Sequence, residues 1–273
     1  MQKLTTRDII LLVLLLVIAF DAYLFVKKRE RKPRPEAAQQ VLKLRGYEFD
    51  EKSFQAAARA SDLIAITAFV DGGININARS DSDGRTVLIN AAARGDLNVV
   101  KLLLERGADV NVADNRGYTA LHHAIEARYD DVSELLLNQP KLDPNARGLN
   151  GVTTLMSYVW RERKDAVQKL LDRGADVNAQ DYDGDSALHG AAQNGNIEIM
   201  DLLVAKGANL NLKNKVGGTA LMWAAVYGHE EAARRLLERG ADPSLKDADG
   251  KTARDWAVVN GRKNVVALLQ KDR

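Results

Sequence analysis

The chain has 273 residues, 46% hydrophobic and 28% charged, which excludes wholesale disorder. With no cysteine it has no disulfide, no cysteine zinc ligand and no cysteine nucleophile, and it gives no clue to its redox compartment. Length alone suggests about two domains. The formal net charge of +2 conceals an asymmetry. Residues 1–34 carry eight basic and three acidic side chains, a surplus of +5, so the rest of the chain sums to −3. A nucleic-acid-binding domain needs its basic charge on the folded module, so none is expected.

Ile9 to Val26 reads IILLVLLLVIAFDAYLFV, with 17 of its 18 positions apolar and Asp21 the one exception. As a helix it would be about 27 Å long, close to a bilayer core. A central Asp costs roughly 3 kcal/mol on an insertion scale, while the 14 Leu, Ile, Val and Phe residues each return about 0.3 to 0.6. The balance predicts an uncleaved single-pass transmembrane helix over 9–26. A cleaved signal peptide over Ile9 to Phe20 is the alternative. It lacks a small-x-small site in the following Asp21-Ala22-Tyr23-Leu24-Phe25. Two basic residues precede the segment (Lys3, Arg7) and six follow between Lys27 and Arg34. The positive-inside rule then places the body in the cytoplasm, with an exported, periplasmic-side body as the alternative.

After the tail 1–8 and this segment comes a basic, proline-containing linker, 27–48, in which Glu36 to Arg45 suits a short helix. The body, 49–273, repeats itself. Gly84, Gly117, Gly151, Gly184, Gly217 and Gly250 lie 33 or 34 residues apart. A hydroxyl follows two residues later (Thr86, Thr119, Thr153, Ser186, Thr219, Thr252), then an apolar residue such as Leu88 or Leu121, with Arg254 in the last repeat. About seven repeats result: 49–83, 84–116, 117–150, 151–183, 184–216, 217–249 and 250–273. Within one, Thr86 is placed to cap a helix through its hydroxyl. Leu88, Ala91 and Ala92 lie at helical spacing, and Gly95 makes a tight turn. Val99, Val100, Leu102, Leu103 and Leu104 form the stripe of a second helix that ends at Gly107. One such pair cannot bury its apolar face alone, but stacked copies can. The first repeat is degenerate, with Lys52, Phe54 and Ala57 at the Thr, Leu and Ala positions.

TALHHA (119–124), SALHGA (186–191) and TALMWAA (219–225) resemble the signature of the ankyrin repeat family over about residues 50–273. The resemblance implies an all-α, ankyrin-type solenoid of helix-turn-helix pairs and β-hairpin-like loops, here with one N-terminal transmembrane helix. It implies a protein partner bound on a concave face made by loop tips and the ends of the first helices. Carried over by register, that face offers Arg85, Arg94, Arg116, Tyr118, Glu126, Trp160, Arg161, Tyr182, Asp185, Asn194, Lys215 and Tyr227. Leu149 and Val216 also hold tip positions.

No enzyme is expected, since the chain has no G-x-S-x-G, H-E-x-x-H or P-loop. Neither a metal, a cofactor nor a small-molecule substrate is expected. Asp181-Tyr-Asp-Gly-Asp185 resembles the start of a calcium loop, but Asp81-Ser-Asp-Gly and Asp247-Ala-Asp-Gly recur in register, which marks turn chemistry. His122 and His189 are expected to make structural hydrogen bonds, His123 to face solvent, and Trp223 and Trp256 to pack. The third and fourth repeats break the pattern, through Asn138-Gln-Pro-Lys-Leu-Asp-Pro-Asn145 and through Tyr158, Val159, Trp160 and Glu162. The expected function is a membrane-tethered scaffold or adaptor; the alternative is an exported accessory or inhibitor of an enzyme.

Overall fold

The structure is a computed structural model that describes residues 35–271. The segment Ile9 to Val26 lies outside these residues. Among those described, no helix is long and apolar enough to cross a membrane. The chain divides into two compact parts, one up to Asn75 and one from Ile76.

The N-terminal part holds helices α1 (Pro35–Leu44), α2 (Glu51–Arg59) and α3 (Leu63–Asp71), with α1 and α2 both packed on α3. Phe69 is its centre. The ring of Phe49 stacks on it at 5.9 Å, Tyr47 meets it edge-on at 6.2 Å and Phe54 is tilted against it at 5.4 Å. Such pairs add about 0.5 to 1.5 kcal/mol each beyond burial. Register aligns Lys52 with the capping threonines, but Asp50 takes that role instead. Its carboxylate accepts from Ser53 N at 2.6 Å, so α2 starts before the aligned position. Asp62 caps α3 with one oxygen and takes Arg45 Nε on the other at 2.8 Å. The Arg45 guanidinium holds the Asp62 carboxyl below the usual carboxylate range.

The second part is the array. Its inner helices are α4 (Val87–Arg94), α6 (Ala120–Glu126), α8 (Thr154–Trp160), α10 (Ala187–Asn194), α12 (Ala220–Tyr227) and α14 (Ala253–Val259). Its outer helices are α5 (Leu97–Glu105), α7 (Asp130–Leu137), α9 (Lys164–Asp172), α11 (Ile197–Ala205), α13 (Glu230–Glu238) and α15 (Lys263–Lys271). Thr86, Thr153, Thr219 and Thr252 cap their helices by accepting a backbone N–H three residues on. Leu88, Leu121, Leu155, Leu188 and Leu221 are all buried, and each contributes on the order of 2 kcal/mol. Fully buried Ala91, Ala124, Ala191 and Ala224 let successive inner helices approach closely. In α8 that position is Tyr158, and α6 and α8 are the least closely packed neighbours of the inner row.

The turn between the helices of a repeat needs a left-handed residue. Gly95, Gly195 and Gly228 supply it, at φ of 73°, 68° and 81°. Arg128 and Glu162 adopt the same conformation at 62° and 56°, which costs an L-residue about 1 to 2 kcal/mol. The hairpin-like loops reduce to single antiparallel bridges, Ala113 with Thr119, Arg147 with Thr153 and Gln180 with Ser186. No strand forms among the described residues.

One row of side chains ties the repeats together. Asn77 Oδ1 accepts from Asp109 N, Asn111 Oδ1 from Asp143 N, Asn145 Oδ1 from Asp176 N, Asn178 Oδ1 from Asn209 N and Asn211 Oδ1 from Asp242 N, at 2.7–2.9 Å. The amide nitrogens of Asn111, Asn145 and Asn178 donate to Lys141 O, Gly174 O and Gly207 O, also one repeat on. Ser244 holds the next position, but its side chain turns back to Asp242. Each link is worth about 0.5 to 1.5 kcal/mol. Asn178→Ala removes two links at once and is expected to lower stability by about 1 to 3 kcal/mol in urea unfolding. Ser244→Ala, which breaks no link between repeats, should change it far less; equal losses would show that the row does not hold the stack.

Candidate protein-binding surface

The loop tips are built on side chains that fold the loop onto itself. Asp114 Oδ1 accepts from Arg116 N and Tyr118 N at 2.9 and 3.0 Å. Asp181 does the same for Asp183 N and Asp185 N, and Asp247 for Asp249 N and Lys251 N. The calcium-like spacing at Asp181 and Asp247 is therefore occupied by backbone donors. No group of three or more His, Asp or Glu side chains able to hold a metal ion occurs among the described residues.

Successive tips are hydrogen-bonded. Asn115 N donates to Asp83 O, Tyr182 N to Asn150 O, Lys215 N to Asp183 O and Ala248 N to Val216 O, at 2.7–2.9 Å. Gly184 is needed because an added Cβ would lie 2.8 Å from Lys215 N on the next tip. The row is interrupted once: Arg116 and Leu149 make no such bond. The tip that closes the third repeat has Gly148 in place of the aspartate and winds into a short 3-10 turn, Leu149–Gly151, with Asn150 at φ 59°.

Beside the tips run the ends of the inner helices, and here too several repeats are tied to the one before. Arg161 Nη2 donates to Glu126 O at 3.0 Å, His229 Nε2 to Gln193 O at 2.9 Å and Arg262 Nε to Val226 O at 2.9 Å. These donors satisfy carbonyls that a helix end leaves free. Trp160 is 45% exposed and lies against Gly190, where an added Cβ would come 2.6 Å from the indole nitrogen. Tyr227 is 43% exposed, stacked on His229 and reached by Gln193 Nε2 at 3.3 Å. Asn194 reaches Trp160 O at 3.5 Å. Tyr182, 64% exposed, covers Gly151.

Arg94, Arg116, Glu126 and Lys215 are also exposed, whereas Arg85, Arg161, Asp185 and Asn194 are half-buried. Asp185 accepts from Asn214 at 2.9 Å, and Arg85 lies 3.5 and 3.6 Å from Asp83 and Asp114. Tyr118 does not reach the surface. It is 8% exposed, with its ring stacked on His122 at 5.5 Å and Arg116 over it at 5.1 Å. The room for that ring comes from Gly148, since any side chain there would collide with it. His123, expected in solvent, is also buried and pairs with Asp114 at 2.8 Å. Burial pushes the Asp114 carboxyl up, but hydrogen bonds from His123 and from the Tyr118 and Arg116 amides outweigh it and hold it below the usual range. The exposed ring of Tyr129, which covers Gly95, was not singled out by the pattern. The signal was there, as an aromatic where Asp96 and Asn196 cap their outer helices.

His122 and His189 complete capping boxes. Each offers Nδ1 to the backbone N–H of Thr119 or Ser186, at 3.3 and 3.1 Å, so each ring must be neutral. Burial pushes the His122 pKa down to about 4 and lowers that of His189. The unfolded chain then binds protons that the folded one refuses as pH falls from about 6.5 to about 4. Stability is complete above that window and is lost through it, by on the order of 3 kcal/mol for His122. Met156 and Met222 hold the same position in other repeats. The double variant His122→Met/His189→Met is expected to flatten urea stability across this window; an unchanged slope would exclude the two rings as its cause.

A family model for ankyrin repeats, in three copies, matches residues 53–148, 155–247 and 188–273. The neurogenic locus notch homolog protein 1 of Xenopus laevis is 37% identical over 133 residues, 49% of this chain and 5% of its own length. The human notch homolog protein 2 is 35% identical over 158 residues, 58% of this chain and 6% of its own. This chain thus spans about one twentieth of the length of these relatives. Among solved structures, the ankyrin repeat domain of Bcl-3, a member of the IkappaB family, is 33% identical with a TM-score of 0.64, over 79% of this chain and 96% of that one. An ankyrin repeat domain from Acinetobacter baumannii is 29% identical with a TM-score of 0.61, over 67% and 96%. The repeat length, caps, turns and stacked helix pairs, with the family match over most of the sequence, make this chain a member of the ankyrin repeat family, whose domains are protein–protein interaction scaffolds.

Proposed function

We propose that this protein is a membrane-tethered scaffold that captures a protein partner on the face formed by its loop tips and inner-helix ends. The observation that carries this reading is the group of exposed large side chains on that face. Trp160, Tyr182 and Tyr227 are 45, 64 and 43% exposed, and Leu149 and Val216 are 39 and 63% exposed. Tyrosine, tryptophan and arginine are the side chains that most often dominate binding energy, and Arg94 and Arg116 belong to the same face. The residues that bear Trp160, Tyr182 and Tyr227 are held by bonds to neighbouring repeats, so a partner meets a preorganised surface.

The tether rests on Ile9 to Val26, and the six basic residues that follow it favour a cytoplasmic array. Confinement to a surface raises the effective concentration of a partner held on the same membrane. The full chain in detergent is expected to retain a partner from its native lysate. Trp160→Ala and Tyr182→Ala should each weaken that capture by about tenfold or more with little change in the unfolding midpoint. Undiminished capture by both would move the site elsewhere. A reporter fused after Arg273 that is active only in the cytoplasm should be active; an inactive fusion would support export instead.

A further inference from the structure

We propose that the corner of the N-terminal part where α1 ends and α3 begins docks on a lipid surface. This inference rests on the tethered reading and adds the face by which the protein meets the bilayer. Leu44 is 83% exposed, Ile64 58% and Leu63 38%. The end of α1 and the start of α3, which carry them, are held near each other by the ion pair of Arg45 Nε with Asp62 Oδ2 at 2.8 Å. Elsewhere α1 follows ordinary amphipathic logic, with Ala38 and Leu42 buried. Leu44 departs from it and has exposed Lys43 and Arg45 on either side. Clustered exposed apolar side chains with a polar rim mark an interaction surface.

The chain that leads to this corner points to the occupant. Eight residues, 27–34, separate Val26 from α1, and six of them are basic against one acidic. Fully extended they reach at most about 28 Å, so a bilayer that holds Ile9 to Val26 keeps α1 close to its headgroups. The pairing with Arg45 also neutralises Asp62, the acidic group next to Leu63. An apolar tip beside Lys43, with its acidic group neutralised and a basic segment leading to it, fits the boundary between acyl chains and anionic headgroups.

The chain has no cysteine, so a single Ile64→Cys accepts one environment-sensitive fluorophore. The full-length labelled protein is reconstituted into phosphatidylcholine–phosphatidylglycerol vesicles that carry a spin-labelled lipid. The expected result is blue-shifted emission quenched by that lipid. Adding Leu44→Glu should abolish both effects, and the same label at Tyr182→Cys should show neither. Leu44 and Ile64 are exposed, so the fold should survive, which an unchanged unfolding midpoint checks. Extraction at alkaline pH reads the tether separately. A chain retained by the vesicles with an unquenched corner overturns the docking inference and leaves the tether standing. Quenching in a chain that alkali extracts keeps the docking and overturns the tether. Extraction without quenching overturns both. A shielded but unquenched label would assign the corner to a protein contact and equally overturn it.

Discussion

Each of Asn111, Asn145 and Asn178 has both ends of its side-chain amide committed to the following repeat. A planar group that accepts from one backbone N–H and donates to one backbone carbonyl fixes distance and direction together. The array depends on this constraint, because the apolar faces of the helices specify burial without specifying registry. Leucine and alanine would tolerate small slips between repeats, but an amide clamped at both ends does not. Each repeat is thereby set by its neighbour, as expected of a quasi-one-dimensional protein.

The same logic explains where the array loosens. Between the third and fourth repeats, Tyr158 replaces an alanine in the inner row; just before this junction the tip hydrogen bond between Arg116 and Leu149 is missing, and the tip closing the third repeat has Gly148 where an aspartate usually folds it. Arg128 and Glu162 adopt left-handed turns without glycine on either side of this junction. The asparagine links nevertheless continue through it, from Asn111 to Asp143 and from Asn145 to Asp176. Registry is kept while close packing is relaxed. Leu149 and Trp160, two of the exposed apolar side chains of the proposed binding face, sit in the third and fourth repeats. Departures from a repeat's own rules are expected where a surface has acquired a use.

The side chains that could suggest catalysis are spent on architecture. Asp114, Asp181 and Asp247 hold loop backbones, His122 and His189 cap helices, and Trp256 Nε1 donates to Asp247 at 2.7 Å. These groups are largely buried or saturated with backbone partners. The exposed side chains of the tips and inner-helix ends include Trp160, Tyr182, Tyr227, Leu149 and Val216 among charged groups of both signs.

The sequence by itself determined the repeat length, the helix pairs, the capping hydroxyls and the turn glycines, because each is local: a cap reaches three residues and a turn needs one left-handed residue. It also marked the loop tips and inner-helix ends that carry Trp160, Tyr182 and Tyr227. Only the tertiary structure decided which of those positions are open. Tyr118 shares a tip position with exposed residues, yet the glycine that lets it sink inward, Gly148, lies on the next loop tip, far along the chain. His123 is buried by a carboxylate nine residues before it. The asparagine row was present in the string as a residue at a 33- or 34-residue spacing, but its function is a bond between repeats. Contacts that join one repeat to the next depend on how two backbones are set against each other, and that is fixed by packing rather than by either repeat alone.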